Sequence, residues 1–111
     1  MPYTRKLSYE VRRSIDSATF TGAYQALGTP LTNAASLIKL VNNSDQLIDI
    51  SIDGTNNHDV APANSFWLYD VTSDSPQESG SIFIEKGRQY YVKGSAGTGL
   101  VYLVVQYVVQ V

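Results

Sequence analysis

The chain has 111 residues, enough for one domain of ordinary size with a modest core. Apolar residues make up 43% and charged residues only 16%, which excludes a disordered chain and suits a surface partly covered by another protein. The net charge of −2 excludes a strong overall field for nucleic acid, and the lack of cysteine excludes disulfides and thiolate zinc sites.

Charge is unevenly placed. Residues 1–13 set Arg5, Lys6, Arg12 and Arg13 against Glu10, a net of +3, while the other 98 residues carry four basic and nine acidic side chains, a net of −5. The opening MPYTRKLSYE contains no apolar run of the kind a secretory signal needs. Residues 1–18 therefore read as an extended basic arm, with a short helical turn near 9–15, and residues 19–111 as the folded domain. Four cations are too few for strong phosphate binding at physiological salt and suit docking on an acidic protein surface.

From residue 19 onward, period-two alternation dominates and predicts strands. Thr19–Leu27 is the first, stopped by Gly28-Thr29-Pro30. Ser36–Val41 is the second, ended by Asn42-Asn43-Ser44-Asp45, a turn-forming run that also matches a glycosylation sequon. Gln46–Asp53 alternates most cleanly, with Ile48, Ile50 and Ile52 on one face and Asp49, Ser51 and Asp53 on the other. These two strands, joined by four polar residues, read as an antiparallel hairpin. A polar loop over Gly54–Asp59 leads to the aromatic-rich strand Ser65–Val71, and residues 72–80 form a long polar loop. Ser81–Glu85 and Arg88–Lys93 flank a tight Lys86-Gly87 turn, and Leu100–Val111 is the last strand. Seven short strands with no alternating helices predict an all-β, antiparallel fold, whether sandwich, jelly roll or barrel, and argue against Rossmann and P-loop folds.

No motif completes a catalytic or metal site. Gly94, Gly97 and Gly99 have the spacing of no phosphate loop, and a β-branched strand follows where phosphate binding needs a helix N-terminus, so they read as a hairpin turn. Asp53, Thr55, Asn57 and Asp59 share the 1-3-5-7 spacing of a calcium loop, but His58 stands where that loop needs glycine and Asn64 where it needs glutamate. His58 is the only histidine, there is no Gly-x-Ser-x-Gly elbow, and Asp49 with Asp53 is a pair any wet strand face would carry. The reading is a non-enzymatic protein with no cofactor and no metal. Trp67, Tyr69, Tyr90, Tyr91, Tyr102 and Tyr107 lie on expected strands, where they fill a small core, line a protein interface, or stack sugars in a carbohydrate-binding module.

The last strand would span roughly 40 Å, which is long. Val101, Leu103, Val105, Tyr107, Val109 and Val111 form a fully apolar face expected to meet the core. The opposite face, Leu100, Tyr102, Val104, Gln106, Val108 and Gln110, is still mostly apolar. The run is too short and too regularly alternating for a membrane helix. An exposed strand of this kind needs a cover, so Tyr102, Val104 and Val108 are candidate interface residues.

The stretch IFIEKGRQYYVKGSAGTGLVYLVVQYV, preceded by ISIDGTNNHDVAPANSFWLYDV, resembles small virion proteins of tailed bacteriophages. The shared pattern is a strand ending in Lys-Gly, then Tyr-Val-Lys-Gly, a Gly-Thr-Gly turn and Val-Tyr-Leu. In length and order the chain is similar to the capsid decoration proteins, of staple or cement type, of short-tailed Salmonella phages, over residues 35–108. The resemblance implies a jelly-roll sandwich that acts as a homodimer on the outer surface of the virion. It would be assembled in the host cytoplasm and would clamp neighbouring copies of the major capsid protein, without catalysis and without direct contact to nucleic acid or membrane. A head-fibre or neck component would carry the same motifs. Arg5, Lys6, Arg12 and Arg13 are expected to reach the capsid as the binding arm.

Overall fold

The structure is a computed structural model that describes residues 5–70 and 83–110. The described residues form nine strands: β1 (Arg5–Tyr9), β2 (Arg13–Asp16), β3 (Gln25–Ala26), β4 (Leu37–Asn42), β5 (Ile48–Ser51), β6 (Asp59–Ala61), β7 (Ser65–Asp70), β8 (Tyr91–Lys93) and β9 (Leu100–Gln110). A single 3-10 turn, Ser17–Thr19, follows β2, capped at its start by the Asp16 carboxylate, which accepts from the Ala18 N–H at 3.0 Å. The strands make two sheets. One runs β1-β9-β4-β7, with β2 also on β9, and the other runs β3-β8-β5-β6. Every pairing is antiparallel. The chain is therefore all-β, as its alternation predicts.

The two sheets bury one face each against the other. β4 contributes Ile38 and Leu40, β9 contributes Val101, Leu103 and Val105, and the facing sheet contributes Ile48, Ile50 and Val92. Phe20, Leu27, Leu31, Ile84 and Tyr90 close the ends of this core. The apolar face expected for β9 reaches the core at its first three residues only. Tyr107 and Val109 are half-buried because β9 has by then run past β4, whose last partner on it is Gln106. Val111 lies outside the described residues.

Asn42 ends β4 on the core side and is fully buried. Its amide donates to the carbonyls of Gln46 (2.9 Å), Ala61 (3.1 Å) and Pro62 (2.9 Å) and accepts from the Ser44 N–H and hydroxyl. One side chain thus ties β4, the crossover after it and the end of β6. Asn42→Ala should cost about 2 kcal/mol, because several buried backbone groups lose their partner at once. Urea denaturation checks this, and a variant within about 0.5 kcal/mol of the parent would refute it.

Several elements differ from their expected form. The Ser36–Asp53 hairpin does not exist as such: β4 pairs with β7 and β9, whereas β5 pairs with β6 and β8, so residues 43–47 cross between sheets. The glycine run 94–99 is also a crossover and not a hairpin turn, since β8 and β9 belong to different sheets. Both segments are short and polar like hairpin turns, and strand alternation says nothing about which sheet a strand joins. Of Thr19–Leu27 only β3 pairs as a strand, because the 3-10 turn ends at Thr19 and the chain bends at Gly22, where φ is +86°. β6 occupies a segment whose polar neighbours hid it. Ile84 makes an isolated bridge with Ala35, and Lys86 and Gly87 turn as expected. Residues 71–82, with the expected start of the Ser81–Glu85 strand, lie outside the described residues.

The N-terminal segment is the largest difference. From Arg5 onward it is strand, laid along β9 as β1 and β2. Tyr9 pairs with Gln106 and Arg13 with Leu103, so three residues (Glu10–Arg12) oppose two on β9. This is a β-bulge, and its extra residue reverses which side chains point inward. Arg13 consequently faces the core side with a side chain only 8% exposed. It donates to the carbonyls of Thr29 (2.7 Å) and Pro30 (2.9 Å), and pairs with the Glu10 carboxylate at 2.8 Å.

Candidate docking surface

Directly opposed residues of an antiparallel pair share a face, so the registers define the outer surface of the five-stranded sheet. Tyr102 opposes Val41, which opposes Phe66. Val104 opposes Lys39, which opposes Leu68. Gln106 lies between Leu37 and Tyr9, and Val108 opposes Leu7. The result is a band of aromatic and aliphatic side chains across four strands, with Lys39 near its middle. Phe66 is 66% exposed, Tyr9 63%, Leu7 56% and Leu68 50%, well beyond the scattered apolar exposure of an ordinary surface.

The sequence-derived candidates fall into three groups. Tyr102, Val104 and Val108 sit together on this outer face, the first two half-buried and the third exposed. Arg12 reaches the same face, its guanidinium 4.5 Å from the centre of the Tyr102 ring, a cation–π contact. Lys6 is exposed but opposes Val109, on the other side of the β1–β9 ribbon. Arg13 is not available to a partner, since the bulge turns it inward onto Glu10 and two carbonyls. Arg5 opens β1, and its side chain lies outside what is described.

Phe66, Leu68, Leu7 and Tyr9 escape the sequence reading. A signal for two of them exists: SFWLYD is apolar on both of its faces, the same property that marks β9. Leu7 and Tyr9 alternate with Lys6 and Ser8, yet the cluster of positive charge masks that pattern.

Past Gln106, β9 continues to Gln110 with β1 as its only partner among the described residues. This two-stranded ribbon projects from the sandwich and contributes to a molecule measuring 53 × 23 × 21 Å. A two-stranded ribbon with exposed apolar side chains is marginal alone in water.

The polar loop after β5 is organised around Asp53. Its carboxylate accepts from the N–H groups of Asn56 (2.9 Å) and Thr55 (2.8 Å), from the Asn56 amide and from the Ser51 hydroxyl. The hydrogen bonds from Asn56 and Thr55 hold the carboxyl far below its usual range. Ser51 donates to Asp53 and not to His58, whose Nδ1 accepts from the Ile52 N–H at 3.1 Å. The three residues thus clasp a loop, and their wiring gives the histidine no hydroxyl proton to withdraw. Among the described residues no three metal-ligating side chains converge, and no helix is long and apolar enough to cross a membrane. Amides of the glycine run are taken by other parts of the chain: the Gly97 N–H donates to Ser17 O (3.1 Å) and the Thr98 N–H to the Asp45 carboxylate (3.0 Å).

The chain matches no protein-family model. Nor does it match any of the curated proteins with which it was compared.

Proposed function

We propose that the chain is a non-enzymatic virion protein that lays the outer face of its five-stranded sheet on the major capsid protein of an icosahedral phage head and staples neighbouring subunits. The observation that carries this reading is the uncovered apolar band from Phe66 and Leu68 through Val41, Tyr102 and Val104. The setting comes from the sequence resemblance. Arg12 and Lys39 on that band call for carboxylates on the capsid side, and the low charged content leaves the rest of the contact to apolar packing. In this reading the chain is a homodimer on the outer surface of the virion, assembled in the host cytoplasm, and many identical copies multiply a small energy per contact.

The jelly-roll form belongs to the same proposal. If β1 and β2 count as one strand broken by the bulge, the described residues form eight strands. One sheet then holds the first, eighth, third and sixth, and the other the second, seventh, fourth and fifth. Two interleaved Greek keys generate that order.

The test is co-sedimentation of the purified chain with heads lacking it, together with analytical ultracentrifugation of the free chain. The parent should bind in fixed stoichiometry. The double variant Phe66→Asp, Leu68→Asp should keep its circular dichroism and lose at least about a hundredfold in affinity, as loss of a central apolar anchor does. Undiminished binding of the double variant would sink the reading.

A further inference from the structure

We infer that the cleft formed by Trp67, Tyr69 and Tyr90 with Asp59, His58 and Arg88 binds a neutral pyranose sugar. The cleft opens where the edge strand of one sheet, β7, passes the edge strand of the other, β6, and its volume is about 250 Å³. That space is smaller than a drug-sized pocket and suits a single sugar ring better than a length of peptide.

The aromatic wall is built and fixed. Trp67 and Tyr69 lie two residues apart on one face of β7, their rings parallel within 4° and 5.7 Å apart at the centroids. Tyr90, buried, meets Trp67 edge-on at 6.4 Å. The Trp67 indole N–H donates to the Asp59 carboxylate, which holds the ring in place before any ligand arrives. Tyr69 stays half-exposed and offers its flat apolar face to the C–H side of a sugar.

The polar rim retains hydrogen-bonding capacity. Each Asp59 oxygen takes one protein donor, from Val60 N–H and from Trp67, and each has a second lone pair. Arg88 uses one terminal nitrogen on Glu85 at 3.0 Å and keeps other donors. His58 accepts through Nδ1 from the Ile52 N–H, and its Nε2 lies 3.9 Å from the Asp53 carboxylate, beyond hydrogen-bond reach. Carboxylate, guanidinium and imidazole beside an aromatic wall are the donors and acceptors that vicinal hydroxyls require. Asp59 in the cleft and the acidic body disfavour phosphate, which directs the choice away from nucleotides.

Trp67 is the only tryptophan, so its fluorescence reports on the cleft alone. The probes are the methyl glycosides of glucose, galactose, mannose and N-acetylglucosamine, with their short oligosaccharides. At least one series should change the emission saturably, with millimolar affinity for the monosaccharide and tighter binding for the oligomers. Tyr69→Ala should weaken that binding about tenfold while far-ultraviolet circular dichroism is unchanged. Tyr102→Ala, on the docking face, should leave it unaffected, so this inference and the capsid reading fail separately. No saturable change with any glycoside up to about 100 mM would overturn the inference. Unchanged affinity in Tyr69→Ala, or a response to a proline-rich peptide in place of sugars, would overturn it as well.

Discussion

Replacing Glu10 by alanine is expected to destabilise the fold by about 3 kcal/mol or more, since it leaves a buried guanidinium without its counter-charge. The Glu10 side chain is only 4% exposed and pairs with Arg13 at 2.8 Å. The same carboxylate accepts from the N–H groups of Asn33 (2.7 Å) and Thr32 (3.3 Å), so it joins the bulge to the loop that leads into β4. Alanine removes all of these at once, whereas Glu10→Gln keeps one acceptor oxygen but loses the charge and turns its NH2 toward either the Asn33 N–H or the Arg13 and Thr32 donors. Equilibrium urea denaturation of both variants separates the two parts. A loss below about 1 kcal/mol in Glu10→Ala would refute this account of the segment.

The pair also sets a direction for pH. Burial by itself would push the Glu10 carboxyl up, but hydrogen bonds from Arg13, Thr32 and Asn33 outweigh it and hold the group below its usual range. As pH falls, the unfolded chain takes up its proton before the folded one does. The contribution is therefore complete above the ordinary carboxylate range and is lost as pH drops through the lowered folded value. Asp53 titrates in the same direction. Glu10→Gln should accordingly flatten the acid limb of a stability-against-pH curve.

Gly99→Ala is the second substitution with a large expected cost, about 3 kcal/mol or more, from a strained backbone together with a collision. Gly99 has φ of +110°, and a Cβ there would sit 2.2 Å from the Asn43 carbonyl oxygen. That oxygen belongs to the other crossover, and the Gly99 carbonyl accepts from both the N–H (3.0 Å) and the hydroxyl (2.7 Å) of Ser17. Moving Gly99 thus disturbs both sheet-to-sheet crossings and the 3-10 turn together. Gly87 provides the comparison, because its φ of +90° is also positive but nothing lies within 4 Å of an added Cβ. Gly87→Ala should carry the backbone cost alone, about 1 kcal/mol. Thermal denaturation of the two variants checks the difference, and equal losses would show that the close approach at Gly99 has no consequence.

Strand alternation revealed the class of fold and most of its core. Ile48, Ile50, Val101, Leu103 and Val105 are buried where the pattern puts them, but Ile52, expected on the same face as Ile48 and Ile50, is 40% exposed and Ser51 of the opposite face is buried, because β5 ends at Ser51. Alternation reports the two faces of a strand and carries no information about its neighbour, which is why two crossovers read as hairpins. It also failed at residues 5–16, where clustered positive charge suggested a free arm. The bulge breaks the period there, and the side chain that buries its charge does so through a partner three residues away. The docking face was half legible. Tyr102, Val104 and Val108 follow from β9 alone, but Phe66 and Leu68 join them only through the β4–β7 register, which is set by tertiary pairing. The cleft around Trp67 brings together residues from 50 to 90, a proximity that no local pattern encodes.

Arg12 and Arg13 are the same amino acid at adjacent positions, yet one lies over an exposed tyrosine ring and the other is locked inside. Nothing in their chemistry assigns these roles. The extra residue between Tyr9 and Arg13 acts as a half-period phase shift, like a dislocation in a lattice, and the two arginines inherit their fates from the parity of the count. The length of this short segment is therefore a stricter specification than its composition. A regular ladder continued from Tyr9 without the bulge would put Arg12 opposite Leu103 on the core side and Arg13 opposite Tyr102 on the surface, with the residue types along β1 and β2 untouched.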